Sequence, residues 1–179
     1  TGELREKNAY LPVLNLRTSG GREMLGMSGD EPETPPSAQE RADDIAVLKE
    51  GLRYCAAQGI TAVHNMDGNR YMMELLREIE LEGEMACRVE VPYHFTEGKP
   101  LSILEEASRM SADFNSDMLK SGRVKIFVDG VLESGTAYML DDYANAPGWK
   151  GDPIFDTEAF AKAAIEIDRR GLQISVHAI

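Results

Sequence analysis

A helical repeat of apolar positions begins soon after residue 37. The apolar residues that share one helix face are Ile45, Leu48, Leu52 and Cys55. The tetrapeptide SAQE at 37–40 has the spacing of a capping box, in which the serine side chain accepts a backbone N–H and the glutamate reaches back to the cap. Gly59 then stands where the helix should stop. The pattern predicts one helix between these two signals.

Beyond this helix, short β-rich runs alternate with helical stretches. The β-rich runs cover 60–64, 86–91, 123–128 and 172–177. The helical stretches begin near Asn69, Ser102 and Asp156. The tetrapeptide SILE at 102–105 has the spacing of a second capping box, and Gly83 and Gly171 lie where helices should end. Strands that alternate with helices in this way predict a parallel sheet.

In three of the β-rich runs the side chains alternate between an apolar face and a largely polar face. The apolar faces hold Cys87, Val89, Val91, Val124, Ile126, Val128, Leu172, Ile174 and Val176. The opposite faces hold Arg88, Glu90, Lys125, Phe127, Asp129, Gln173, Ser175 and His177. An open sheet covered by helices is apolar on both faces, whereas a barrel can line a polar site inside. The sequence therefore predicts an α/β fold, a partial TIM-type (β/α) barrel of about four βα units over residues 37–179.

Residues 1–36 follow no such period, because glycines and prolines interrupt them. These residues are Gly20, Gly21, Gly26, Gly29, Pro32, Pro35 and Pro36. We expect an irregular excursion that precedes the barrel units.

Composition and charge narrow the classes of partner. The formal net charge of −12, without a basic stripe, argues against nucleic acid. No apolar run has the length of a membrane span, and the first residues lack the pattern of a signal peptide, so we expect no membrane partner and a cytoplasmic location. Cys55 and Cys87 lack the spacing of a zinc or redox motif and are interpreted as small apolar residues of the core.

Two residues on the polar faces are candidates for metal chemistry. His177 ends a strand at the edge where barrel active sites are built, and a neutral imidazole there is a good zinc ligand or a hydrogen-bonded structural group. Lys125 lies in the middle of a strand, where burying an ammonium group is costly. Either Glu90 or Asp129 pairs with it, or carbon dioxide converts its neutral amine into a carbamate that can bridge two metal ions.

Four further polar residues are weaker candidates. His64 closes a strand and could face a substrate or serve the structure alone. His94 follows Pro92 and Tyr93, where we expect a surface loop. Asp129 and Glu133 lie in or next to the polar loop that follows the lysine strand, so they could contact a substrate or orient a metal ligand.

The run VKIFVDGVLESGTA at 124–137 resembles the fourth-strand motif of the amidohydrolase superfamily, in the branch that contains the N-substituted formamide deformylases. Other segments are similar to that branch in the same order along the chain, namely TGELRE at 1–6, GITAVH at 59–64, YANAPG at 143–148 and GLQISVHAI at 171–179. The resemblance spans nearly the whole chain. Gly135 departs from it, because relatives often carry a larger residue there.

This resemblance implies an internal fragment of a TIM-type barrel hydrolase that cleaves an amide-like carbon–nitrogen (non-peptide) bond of a small-molecule substrate with metal-activated water. It makes Lys125 the candidate carboxylated lysine and His177 a metal ligand. From their positions alone, His64, Asp129 and Glu133 are expected near the substrate or the ligands. The implied cofactor is a divalent metal, zinc first, as one or two ions. The other ligands of the family have no counterpart here, so we expect no catalytic residue within the fragment and no activity from it alone. A homo-oligomer is compatible with this prediction.

Two alternatives remain. The chain could be a non-catalytic module of barrel ancestry that binds a partner or a small ligand. It could also belong to an enzyme with an open α/β sheet that uses His177 as a general base without metal.

Overall fold

The computed structural model describes residues 9, 12, 13, 16 and 22–179. The predicted irregular excursion over residues 1–36 therefore lies partly outside the described residues. Its described part contains a 3-10 helix at Arg22–Met27. None of the described helices combines the length and the apolar character that a membrane span needs.

The described residues alternate helices with strands, as the sequence predicted. The helices are α1 (Ala38–Ala57), α2 (Arg70–Leu81), α3 (Leu104–Asp113) and α4 (Thr157–Arg169), and a second 3-10 helix, Leu101–Ile103, precedes α3. The strands are β1 (Ala62–His64), β2 (Arg88–Glu90), β3 (Tyr93–His94), β4 (Leu119–Lys120), β5 (Arg123–Phe127) and β6 (Gln173–His177). The architecture is a mixed α/β fold.

Every pairing between these strands is parallel. The strands form one sheet in the order β1-β2-β4 and a second in the order β3-β5-β6. Only residues 91–92 separate β2 from β3, and only 121–122 separate β4 from β5. The stretches 88–94 and 119–127 therefore each contribute one strand to both sheets. As a result, each β-rich run pairs with the next one along the sequence.

Side-chain caps fix where most helices begin. Ser37 and Glu40 form the predicted capping box of α1. The side chains of Asn69 and Asp156 accept N–H bonds at the starts of α2 and α4. The predicted capping box at Ser102 is wrong, because Ser102 lies inside the 3-10 helix and α3 begins without a side-chain cap. A capping residue needs extended backbone, which a residue within a helical turn does not have.

The core consists of two apolar clusters, one under each sheet. The first contains Leu52, Met73, Ile79, Val89 and Leu119, and the second contains Leu104, Val124, Ile126, Ala163 and Ile167. On the predicted apolar face of β5, Val124 and Ile126 are fully buried.

The apolar face of β6 departs from the prediction that helices cover it. Ile174 and Val176 keep 37% and 40% of their surface exposed. The reason is topological: β6 is an outer strand of its sheet, and in the described part of the chain no strand lies beyond it. This leaves an apolar edge.

Candidate functional site

The polar faces of β3, β5 and β6 meet at their carboxyl ends. Lys125 lies opposite His94 in the pairing of β3 with β5, and Phe127 lies opposite His177 in the pairing of β5 with β6. The register therefore places three candidate donors around one aromatic ring. The carboxyl edge of parallel strands is where α/β folds build their sites.

Phe127 is the centre of this group. The Nζ atom of Lys125 lies 4.5 Å from the centre of its ring. The rings of His94 and His177 lie 5.2 and 4.9 Å from it, centre to centre. We call these four residues the Phe127 cluster. An aromatic face attracts a cation weakly and tolerates a neutral amine, so the ring does not replace a carboxylate partner for Lys125.

Lys125 is buried, with 6% of its surface exposed. Among the described residues it forms no ion pair, and both of the predicted structural partners are engaged elsewhere. Glu90 holds Arg123, with Nε and Oε1 2.7 Å apart, and Asp129 accepts the backbone N–H of Tyr138 at 2.9 Å. Burial lowers the pKa of the Lys125 ammonium, against a weaker opposing effect of the Asp67 charge. The fraction of neutral amine is therefore higher than in a solvent-exposed lysine.

Asp129 and His177 are tied to the same loop. Asp129, 3% exposed, accepts the N–H groups of Tyr138 and Ile179 and lies 3.9 Å from Nε2 of His177. That Nε2 lies 2.6 Å from the carbonyl oxygen of Gly130, to which it donates. The bond fixes the tautomer that leaves the Nδ1 lone pair of His177 available.

The sequence prediction of a surface loop at His94 is wrong. His94 belongs to β3 and is 9% exposed. Burial lowers the pKa of its imidazole, which favours the neutral ring. Its Nδ1 finds no hydrogen-bond partner among the described residues. The signal for its burial was the apolar run around it, since Val91 and Phe95 on either side are both buried.

The structure does not bring the two other candidates to the Phe127 cluster. His64, on β1, has its Nδ1 3.4 Å from Oε2 of Glu90 and lines another cavity together with Lys120 and Arg123. Glu133 is exposed in the loop after β5. Their predicted roles near a substrate remain predictions.

A cavity of about 340 Å³ opens beside the Phe127 cluster. Its lining consists of Met27, Ser28, His94, Phe95, Thr96, Glu97, Phe127, Asp129, Gly130, Val131, Ile154, Phe155 and His177. The lining is thus largely apolar, and it also contains the imidazoles of His94 and His177 and the buried carboxylate of Asp129. Small-molecule sites commonly combine these features.

The donors present fit a metal site in part. A carboxylated Lys125 and the Nδ1 of His177, for which no described residue provides a hydrogen bond, would be donors that zinc and similar ions accept. The described residues contain no group of three or more His, Cys, Asp or Glu side chains placed to hold an ion. The described part of the chain therefore supplies two candidate ligands, which is fewer than a closed site requires.

Comparisons with known proteins identify the family of this chain. A family model described as the amidohydrolase family matches residues 4–179. The Bacillus subtilis (strain 168) protein named "Putative amidohydrolase YtcJ" is 25% identical over 150 residues, which are 81% of this chain and 27% of that protein. The Arabidopsis thaliana "Protein LONG AFTER FAR-RED 3" is 36% identical over 64 residues, covering 36% of this chain and 11% of that protein.

Two crystal structures described as uncharacterized metal-dependent hydrolases share the fold. The one from Pyrococcus horikoshii OT3 gives a TM-score of 0.65 at 24% identity, over 78% of this chain and 28% of that one. The one from Pyrococcus furiosus gives 0.62 at 21% identity, over 89% and 31%. The chain thus spans about a third or less of the proteins that it matches. Because the family model matches nearly all of its length, the chain belongs to the amidohydrolase family.

Proposed function

We propose that this chain is part of a metal-dependent hydrolase that cleaves an amide-like carbon–nitrogen (non-peptide) bond of a small molecule. The observation that carries the proposal is the buried Lys125, which forms no ion pair with the described residues and lies against the ring of Phe127, as His177 does. Family membership and the metal-dependent hydrolases of the same fold support it.

A partial TIM-type barrel is the architecture that we propose. Its support is the order of the strands, because each parallel β-rich run pairs with the next one along the chain. Sequential parallel order with intervening helices is the arrangement of a (β/α) barrel, whereas an open doubly wound sheet reverses direction from its first strand.

Lys125 is proposed to carry carbon dioxide as a carbamate. The neutral amine nitrogen attacks the carbon of CO₂, a nitrogen–carbon bond forms, and the displaced proton leaves to solvent. The lowered pKa of the buried side chain favours the amine that must react. The product is an anion with two oxygens, which could hold a divalent ion that a protonated lysine would repel.

His177 is proposed as the second ligand, through Nδ1. The carbonyl of Gly130 holds its Nε2 proton, and such a bond fixes the ring's orientation as well as its tautomer. A divalent ion, zinc as the first candidate and one or two in number, would supply acidified water and polarise the carbonyl of the substrate. Cytoplasmic location and assembly as a homo-oligomer are part of the same proposal and need separate tests.

The alternative is a non-catalytic module that binds a partner or a small ligand. It is favoured by one observation, namely that the described residues hold no complete group of metal-binding side chains. Metal analysis of the full-length protein distinguishes the hydrolase from the non-catalytic module, because a catalytic barrel needs further ligands beyond Lys125 and His177.

The test uses the full-length protein, expressed in zinc-supplemented medium. Elemental analysis should find one or two divalent ions per chain, and Lys125→Ala should lose both metal and amide hydrolysis. Added formate or acetate should restore part of both, because a short carboxylate can replace the lost bridge. Lys162→Ala is the matched control, since that lysine is 62% exposed on α4.

Two results would contradict the proposal. One is a full-length protein without metal. The other is a Lys125→Ala variant that keeps metal and activity and only melts earlier, which is the behaviour of a lysine that serves stability alone.

A further inference from the structure

The segment of residues 22–31, which we call the strap, crosses the carboxyl edge of the strands. Arg22 anchors its start on α1, where the guanidinium lies 2.8 Å from carboxylate oxygens of both Glu40 and Asp44. Glu31 anchors its end, because its carboxylate accepts the N–H groups of Arg70 and Tyr71 at 2.6 and 3.0 Å, in the first turn of α2. The strap is therefore held at both ends by charge-assisted bonds.

Close backbone packing fixes the middle of the strap. The N–H of Gly68 donates to the carbonyl of Gly26 at 3.0 Å, and a Cβ on Gly26 would meet the Gly68 Cα at 3.0 Å. At Gly29, where φ is +68°, a Cβ would lie 2.6 Å from the Cβ of His94. Asn69 adds a side-chain bond to the carbonyl of Asp30 at 2.8 Å. The strap rests directly on His94 of the Phe127 cluster.

This packing brings Met27 and Ser28 into the cavity beside His177. Met27 keeps 39% of its surface exposed, although Arg22 and Gly26 of the same 3-10 helix are in contact with α1 and Gly68. An exposed methionine at the mouth of an apolar cavity can adapt its flexible thioether to a ligand. The other apolar walls come from β3 and from the loop between β5 and α4, through Phe95, Val131, Ile154 and Phe155.

Charge restricts what this cavity accepts. Among the described residues, its lining contains the carboxylates of Glu97 and Asp129 and neither lysine nor arginine. Away from the proposed metal ligands, an anionic substituent would meet no cationic side chain of the described lining and would face these carboxylates, whereas an uncharged apolar substituent would bury surface against the aromatic walls.

We infer that the strap forms one wall of the substrate site and that Met27 selects substrates with an uncharged apolar substituent on the amide. The inference rests on the proposed function, since it takes the Phe127 cluster as the place of reaction. It assigns a binding role to a segment whose sequence predicted only an irregular excursion.

The experiment compares simple amides on the full-length, metal-loaded protein. For the wild type, kcat/KM should rise from acetamide to butyramide to phenylacetamide and should be far lower for succinamate, a chain of similar length that ends in a carboxylate. Met27→Ala should reduce the preference for phenylacetamide over acetamide by about tenfold, the scale of a lost apolar contact in a specificity pocket. Met27→Leu should retain most of the preference. Met24→Ala is the matched control, because Met24 lies in the same 3-10 helix and does not line the cavity.

Binding separates this inference from the proposed function. Calorimetric titration of phenylacetamide into the metal-free protein should show weakened binding for Met27→Ala and unchanged binding for Met24→Ala. If no amide is hydrolysed while this binding pattern holds, the proposed function fails and the apolar site stands. If Met27→Ala binds and selects like the wild type, or if succinamate is preferred to butyramide, the inference is overturned.

Discussion

At the scale of single residues, Asp129 shows how a buried charge can be satisfied without a cation. Its carboxylate accepts backbone N–H groups from Tyr138 and Ile179. Asp129→Asn keeps the shape but removes the charge that strengthens these bonds, so we expect a loss of about 1–3 kcal/mol in the free energy of unfolding. Urea denaturation of the 179-residue chain measures it.

The matched control is Glu133→Gln, a carboxylate-to-amide change in the same loop. Glu133 is exposed, so its substitution should stay within about 0.5 kcal/mol of the wild type. Equal effects of the two substitutions would contradict the burial argument for Asp129.

The sequence made Lys125 and His177 candidates because period-2 alternation places each of them on the polar face of a strand. The structure confirms that the two residues lie on neighbouring strands. It missed His94, because the strand pairing of this short segment depends on the distant β5. No pattern within the sequence around β3 predicts that this segment pairs with β5. Nor could the sequence show that Glu90, one of the two expected structural partners of Lys125, would bind Arg123 instead, since both cations lie on the same face of β5.

At the scale of elements, the strap depends on a glycine that no other residue can replace without strain. Gly29→Ala combines a positive φ with a Cβ only 2.6 Å from that of His94. We expect a cost of roughly 2–4 kcal/mol, the sum of left-handed backbone strain and overpacking. Urea denaturation gives the total, and limited proteolysis reports whether the strap is released first.

Gly98→Ala is the control for the backbone strain alone. Its φ is +78°, yet a Cβ there would meet nothing within 4 Å. This variant should lose only about 1 kcal/mol. If Gly29→Ala and Gly98→Ala lower the free energy of unfolding equally, the close packing of the strap against His94 does not contribute to stability.

Tyr71 makes the anchorage of the strap dependent on pH. Its hydroxyl, on α2, donates to Asp44 at 2.7 Å, and Asp44 also holds Arg22. Burial and the bond to Asp44 raise the pKa of Tyr71 from 10.0 to about 12. Between these values the unfolded chain has lost the proton that the folded chain keeps, so the stabilisation by Tyr71 falls as pH rises from 10 towards 12.

Tyr71→Phe should therefore be less stable than the wild type by about 1–2 kcal/mol at pH 8, the value of a hydrogen bond to a charged acceptor. The difference should shrink steadily above pH 10, where the unfolded tyrosine ionises. Urea denaturation at several pH values measures both curves. A difference that does not change with pH would contradict the raised pKa.

The elements themselves were largely predictable, because local chemistry sets their ends. Ser37 caps its helix as predicted, Asn69 and Asp156 cap the helices that were predicted to begin near them, and Gly59 and Gly83 adopt positive φ where helices stop. The division of two β-rich runs between two sheets was not predictable. It depends on how the chain bends at 91–92 and 121–122 to meet neighbours far away in sequence.

At the scale of the whole molecule, the two sheets of the described residues have four outer strands, β1 and β4 in one sheet and β3 and β6 in the other. The alternation of apolar residues predicted which side chains point away from the polar interior. It could not predict which of these side chains would be buried, because their burial depends on the helices and strands that pack against each strand and not on the strand's own sequence. Val124 and Ile126 are buried, while Ile174 and Val176, beside them on β6, remain exposed.

The exposed edge of β6 should make the 179-residue chain self-associate. An outer strand presents unpaired N–H and C=O groups, and Ile174 and Val176 add apolar surface beside them. Replacing both by lysine should shift the chain towards the monomer, because charges on an edge strand oppose pairing between copies. Leu140→Lys is the control, since Leu140 is 96% exposed in a loop outside any strand. Light scattering over a range of concentrations measures the shift, and a wild-type chain that stays a folded monomer throughout would show that this edge does not recruit a partner.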